Sequence, residues 1–161
     1  MFASRRFAGV LPVLVTPLLE DESIDEQALR ALVRRVLAAK AHGVVVLGTA
    51  GEFAALRDAQ KARALSIAID EVGGQVPVIA GTGEAGTRRA VEMTCLAKRL
   101  GADCALVVPP YYYMVDQQAV IRHYRMVASE SGLPLLLYNI PFFTKVNLEP
   151  DTVRALAEEP G

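Results

Sequence analysis

Five apolar runs rich in valine, leucine and isoleucine punctuate the chain: Val10–Val15, Val44–Leu47, Val76–Ala80, Ala105–Val108 and Pro134–Tyr138. After the first, they recur at intervals of roughly 30 residues, the size of one βα unit. Each run is continuous rather than alternating. That is the pattern of strands buried on both faces of a parallel sheet. The first strand is predicted over Gly9 to Val15.

Helical periodicity fills the gaps. Leu29, Leu32, Val33, Val36 and Leu37 fall at i, i+3, i+4, i+7 and i+8, which makes one apolar stripe. Ser23-Ile24-Asp25-Glu26 has capping-box spacing before this helix, and Gly43 closes it. A second helix is predicted from about Asp58 to Val72, ending at Gly73-Gly74. Thr87 can cap a third, whose end is marked by Gly101. A fourth spans roughly Gln117 to Ser131, with Gly132 and Pro134 as stop signals, and a fifth begins near Glu149-Pro150-Asp151. Five βα units make the fold α/β and leave two architectures. One is an open, doubly wound sheet of flavodoxin type, for which 161 residues is a natural length. The other is the first five-eighths of a (β/α)8 barrel, which normally needs about 250 residues. Pattern alone favours the open sheet, because it is complete.

Composition excludes more than it identifies. The chain is 52% hydrophobic and 22% charged, with net charge −1, as expected of a soluble globular protein. No nucleic acid or anionic membrane is called for as a partner. No apolar stretch approaches the roughly 18 residues of a spanning helix. Cys95 and Cys104 belong to no CxxC or Cys/His cluster, so no metal site is implied, and two reduced thiols point to the cytoplasm. Ser4-Arg5-Arg6-Phe7 before Ala8 to Val15 has the outline of an export signal. Pro12 interrupts the apolar stretch, no small-residue cleavage site follows, and Glu20-Asp21-Glu22 comes next, so a first strand fits better.

The loops after the apolar runs carry the chemistry. The second run ends in Gly48-Thr49-Ala50-Gly51-Glu52-Phe53, the third in Gly81-Thr82-Gly83, the fourth in Pro109-Pro110-Tyr111-Tyr112-Tyr113 and the fifth in Tyr138-Asn139-Ile140-Pro141. Any one of these alone reads as ordinary turn chemistry, although the glycines leave backbone N–H groups able to hold a carboxylate or phosphate. A phenol delivered by Tyr138 at the carboxyl end of a buried strand is well placed for proton transfer.

Together, GTAGEF, GTG, PPYYY and YNIP, in this order and at these strand ends, closely resemble the dihydrodipicolinate synthase / N-acetylneuraminate lyase family. The resemblance covers about Phe7 to Ala157. It implies a class I lyase that acts on pyruvate or 2-keto acids through a Schiff base, with no cofactor, in a (β/α)8 barrel. Residues 1–161 are then a single partial barrel domain. By resemblance, Tyr138 is the tyrosine that shuttles protons to and from the imine intermediate, and Thr49 is the hydroxyl that links it into a relay. The amides of Thr49 and Ala50, in the turn begun by Gly48, are the cradle for the pyruvate carboxylate. Tyr112 is a relay tyrosine that in family dimers reaches into the neighbouring subunit, so a homo-oligomer is implied once the barrel is completed. Glu52 resembles a structural loop carboxylate.

The chain departs from the family pattern in two places. Ala50 replaces the second hydroxyl of the common GTTGE or GSTGE loop. After YNIP comes Phe142-Phe143-Thr144-Lys145, with phenylalanine where true dihydrodipicolinate synthases carry an arginine for the second substrate's carboxylate. Losing a bidentate cation is not conservative. The resemblance therefore points to another pyruvate-yielding aldolase or dehydratase of the family.

The chemistry also needs a lysine amine that is neutral often enough to attack a carbonyl. The family carries it on the sixth strand, and Glu158-Glu159-Pro160-Gly161 falls in the turn expected just before that strand. Lys40, Lys61 and Lys98 are expected to be solvated helix lysines, and Lys145 lies in a loop past the fifth strand. A truncated or split member is therefore expected, inactive alone and exposing strand edges. A non-catalytic remnant serving as an interaction subunit is the alternative. A flavodoxin-like binding module fits less well, because Thr16-Pro17-Leu18 offers no phosphate loop.

Overall fold

The computed structural model describes residues 7–159. Ser4, Arg5 and Arg6 of the signal-like segment, and Pro160 and Gly161 at the other end, lie outside the described residues. The chain divides into two compact units. The first runs to Gly81 and takes in Leu100–Asp103; the second comprises Thr82–Arg99 and the chain from Cys104 onward.

The first unit holds α1 (Glu26–Ala38), β1 (Val44–Val46), α2 (Asp58–Val72) and β2 (Val78–Gly81). β1 and β2 pair in parallel, with Val44 opposite Val78, Val45 opposite Ile79 and Val46 opposite Ala80. Every residue of both strands is buried, as their unbroken apolar character requires. Leu29 and Val33 of α1 and Ala64, Leu65, Ala68 and Val72 of α2 complete this core.

Three expectations are corrected in this unit. Gly9 to Val15 is not a continuous strand. It makes one isolated parallel bridge, Val13 to Val45, supported by bonds from the Leu14 N–H to the Val45 carbonyl and from the Val45 N–H to the Pro12 carbonyl, both 2.9 Å. Pro12 has no N–H to give, and Gly9 turns the chain at φ +93°, which breaks the ladder. Helix α1 is capped by Asp25, whose Oδ1 accepts from the Ala28 N–H at 2.9 Å, and not through the Ser23 box. Ser23 is instead taken up by the Asp21 carboxylate, through its Oγ at 2.6 Å and its N–H at 2.9 Å. Gly43 does not close α1, which ends at Ala38. It is buried where a Cβ would lie 2.7 Å from Leu11 Cδ2 and 3.0 Å from the Pro77 carbonyl oxygen.

The second unit holds α3 (Thr87–Leu100), β3 (Cys104–Val107), α4 (Gln117–Ser131), β4 (Leu135–Leu137), α5 (Pro141–Thr144) and α6 (Pro150–Ala157). β3 and β4 pair in parallel, with Ala105 opposite Leu135 and Val107 opposite Leu137. Helix α4 starts where Asp116 accepts from the Ala119 N–H at 2.7 Å and stops at Gly132, in the left-handed conformation at φ +57°. Thr87 does not cap α3 but is its first residue; the first carbonyl bonded is that of Gly86, from the Ala90 N–H. The β4 leucines are all half-buried, as is only Leu106 in β3, and Leu135 and Leu137 line a groove with Tyr124, Ala128, Val153 and Leu156.

Candidate active site

In the first unit, β1 ends abruptly at Leu47. This buried leucine takes φ +62°, a left-handed conformation that a β-branch-free but bulky side chain adopts only under constraint. The turn brings the Leu47 carbonyl so close to Gly81, the last residue of β2, that a Cβ there would stand 1.8 Å from its oxygen. From this point Gly48-Thr49-Ala50-Gly51 winds into consecutive turns. The Gly51 N–H bonds to the Gly48 carbonyl at 3.0 Å, and the Glu52 N–H to the Thr49 carbonyl at 3.1 Å. Thr16 Oγ1 clamps the turn from outside by donating to the Gly51 carbonyl at 2.7 Å. Gly48 is buried, whereas Thr49 and Ala50 are exposed. Glu52 is exposed at φ +54° and acts within the turn through its backbone.

In the second unit, Tyr138 directly follows β4 and is half-buried. Its N–H extends the ladder to the Val107 carbonyl at 2.8 Å. Tyr112 leaves the same end of the neighbouring strand, 85% exposed and at φ +79°. Tyr138 and Tyr112 are thus carried by the same end of one parallel strand pair. Thr49 belongs to the other unit. Asn139 fixes the chain after Tyr138, with its Oδ1 accepting from the Leu148 N–H at 3.1 Å and its Nδ2 donating to Asn147 Oδ1 at 2.9 Å. Proline at the first turn then starts the short α5, which sequence periodicity did not predict.

Two further groups surround the exit of β3. Tyr111 is half-buried; burial, aided by the nearby Glu84 carboxylate, pushes its phenol up, and the Ala85 backbone N–H offsets part of this. Beneath the strand end, α4 presents His123 and Tyr124, whose rings meet edge to face at 5.2 Å. Tyr124 Oη donates to the Val107 carbonyl at 3.0 Å, and burial holds its phenol well above the usual range. His123 is 1% exposed. Its Nδ1 lies 3.0 Å from Thr87 Oγ1, while Nε2 is buried and, among the described residues, makes no hydrogen bond. Burial lowers its pKa to about 4, and the Val108 backbone opposes this. His123 was not expected from sequence. Its signal is positional, since Val120, His123, Tyr124 and Val127 are i, i+3, i+4 and i+7 on the buried stripe.

The model of the dihydrodipicolinate synthetase family matches residues 6–161. The chain belongs to this family. It is 45% identical over 152 residues to the 4-hydroxy-tetrahydrodipicolinate synthase of Methanopyrus kandleri, covering 94% of this chain and 51% of that protein. It is 42% identical over 154 residues to the enzyme of the same name from Stenotrophomonas maltophilia, covering 96% and 52%. The crystal structure of the chloride-inhibited dihydrodipicolinate synthase of Acinetobacter baumannii with pyruvate superposes with a TM-score of 0.92 at 39% identity, covering 94% of this chain and 52% of that one. A prophage protein of the dihydrodipicolinic acid synthase family from E. coli K12, also in complex with pyruvate, gives 0.92 at 35%, covering 95% and 51%. The chain spans about half the length of the relatives it matches. The fold is accordingly that of the dihydrodipicolinate synthetase (β/α)8 barrel, matched over about half its length, and the open doubly wound sheet is set aside.

The four lysines lie on helices and in loops. Lys40 is exposed at φ +58°, two residues past the end of α1 and not within it. Lys61 corrects the expectation of a solvated lysine: it is 4% exposed on the inner face of α2. Lys98 Nζ donates to the Ser131 and Gly132 carbonyls at 2.7 and 3.1 Å, holding the last turn of α4. Lys145 Nζ donates to the Phe142 carbonyl at 2.9 Å and lies 5.4 Å from that residue's ring centroid. None of the four is on a strand. Among the described residues no helix is long and apolar enough to cross a membrane.

Proposed function

We propose that this chain carries the carboxylate cradle and proton relay of a cytoplasmic Schiff-base lyase acting on pyruvate or another 2-keto acid. The observation that carries the reading is Tyr138. It is a half-buried phenol at the carboxyl end of a parallel strand, the end at which (β/α)8 enzymes build their active sites. Thr49 joins Tyr138 and Tyr112 in the relay. The tight turn from Gly48 offers the Thr49 and Ala50 amides to the keto acid's carboxylate. The pyruvate complexes of two solved relatives support this choice of substrate. Tyr112 completes the site of a second subunit, in keeping with its exposure.

The imine-forming amine comes from outside residues 7–159, since the four lysines present are helical, capping or turned back on their own segment. Incubation with pyruvate and borohydride, followed by peptide mass spectrometry, tests this. The expected result is no reduced adduct on Lys40, Lys61, Lys98 or Lys145, and an adduct on a strand lysine when a segment completing the barrel is added. An adduct on any of the four would refute the reading. The second reading, a non-catalytic interaction subunit, draws on the exposed Tyr112, Tyr113 and Met114. It predicts no adduct even after the barrel is completed.

A further inference from the structure

The turn from Gly48 to Glu52 is held by a side chain that the proton relay does not use. Thr16 lies between two tethered points. The Leu14 N–H bonds to the Val45 carbonyl, and the Pro17 carbonyl accepts from the Asp25 N–H, both at 2.9 Å. Pro17 also confines the residue before it to extended backbone. From this fixed origin the half-buried Thr16 Oγ1 donates to the Gly51 carbonyl at 2.7 Å. The same segment packs against both glycines of the turn. A Cβ on Gly48 would stand 2.6 Å from Val13 Cγ1, and one on Gly51 would stand 3.0 Å from the Leu14 carbonyl oxygen.

Beyond Thr16 the hydrogen bonds run in series. The Gly51 carbonyl belongs to the same peptide unit as the Glu52 N–H, which donates to the Thr49 carbonyl at 3.1 Å. The Thr49 carbonyl in turn shares its peptide unit with the Ala50 N–H. Ala50 is exposed, and among the described residues its N–H makes no hydrogen bond. A hydroxyl and two peptide units thus point their donors the same way along one chain. Each bond in such a chain polarises the next, and the last donor is the one strengthened toward a ligand. That last donor matters because Ala50 has only its backbone N–H to give.

We infer that Thr16 is a positioning residue for the 2-keto acid: its hydroxyl orients and strengthens the Ala50 N–H as a donor to the substrate's carboxylate. This rests on reading the turn as a carboxylate cradle. A purely structural hydroxyl would hold the loop without changing what Ala50 donates.

The experiment compares the full 15N-labelled chain with Thr16→Val and Thr16→Ala, which lack the donor, and with Thr16→Ser, which keeps it. Amides of Val78–Gly81 in β2 report that each variant is folded. Without ligand, the two donor-less variants should move the Glu52 and Ala50 amide protons upfield, and Thr16→Ser should leave them near their native positions. Pyruvate should shift the native Ala50 amide saturably. It should bind about threefold more weakly to Thr16→Val and Thr16→Ala, with native affinity restored in Thr16→Ser. Unmoved Glu52 and Ala50 resonances in the donor-less variants overturn the inference. So does undiminished pyruvate binding in those variants, or equal weakening in all three. Pyruvate that moves neither the Thr49 nor the Ala50 amide of the native chain refutes the cradle reading itself, and the role assigned to Thr16 falls with it whatever the ligand-free spectra show.

Discussion

Acidification from pH 7 to 4.5 should remove about 2.5 kcal/mol of stability through His123 alone. The imidazole is 1% exposed, and burial lowers its pKa from 6.5 to about 4. A folded-state pKa below the unfolded one means that the unfolded chain takes up the proton first as the pH falls. His123's contribution is therefore complete above pH 6.5 and is lost progressively toward pH 4. The full shift of 2.5 units, from 6.5 minus 4, corresponds to about 3.4 kcal/mol at 1.36 kcal/mol per unit, and most of it is spent by pH 4.5. Exposed carboxylates act in the same direction. Asp21 is held below its ordinary value by the Ser23 hydroxyl, and Glu26 by Arg30. A variant that cannot titrate separates them from His123. Urea unfolding midpoints of the native chain and of His123→Leu, each measured at pH 7 and 4.5, give two losses on acidification. The native loss should exceed the variant's by about 2.5 kcal/mol, and the ring C–H shift of His123 should titrate near pH 4. Equal losses in the two proteins would refute the argument.

Gly81→Ala places a Cβ 1.8 Å from the Leu47 carbonyl oxygen, between two buried backbones that cannot yield. It should destabilise by roughly 4 kcal/mol or more, seen as loss of soluble chain or a collapsed urea midpoint. Tyr124→Phe removes the 3.0 Å bond to the Val107 carbonyl, which keeps the Tyr138 N–H as its partner, a loss of about 1 kcal/mol by urea unfolding. Lys98→Met releases the last carbonyls of α4 at a more exposed position and should cost only about 1 kcal/mol. A urea-unfolding loss above about 3 kcal/mol in either variant would contradict this reading.

Where sequence and structure agree, one local signal was enough. The expected limits of α2 and α4, Asp58 to Val72 and Gln117 to Ser131, are those observed, because Gly73 and Gly132 end them in the left-handed conformation. The motifs at the ends of β1, β3 and β4 were legible because their glycines, prolines and tyrosines interrupt apolar runs. Where two signals competed, the outcome depended on a third residue. The capping box was expected from Ser23, but Asp21 engages Ser23 and Asp25 caps the helix instead. Helix α5 is too short for any period to be seen. His123 and Lys61 were hidden for a common reason. Each is a polar residue on an apolar stripe, Lys61 lying at i−3 and i−4 from the buried Ala64 and Leu65. Residue type said surface while position said core, and position prevailed.

The polar residues on the inner face of α4 also explain how an exposed, strained tyrosine is held in place. A left-handed φ of +79° at Tyr112 costs about 1–3 kcal/mol unless the neighbouring chain dictates it. The chain entering that residue is restrained at successive positions. Tyr124 holds the Val107 carbonyl, His123 packs beneath Val108, Pro109 and Pro110 are buried with φ fixed by their rings, and Tyr111 is half-buried against Ala85 and Glu84. Freedom returns only at Tyr112, where the side chain turns outward. On the proposed role, a phenol delivered to a second subunit needs a fixed origin rather than its own local contacts. Helix α4 supplies that origin with a tyrosine and a neutral histidine, both buried in the wall behind the loop.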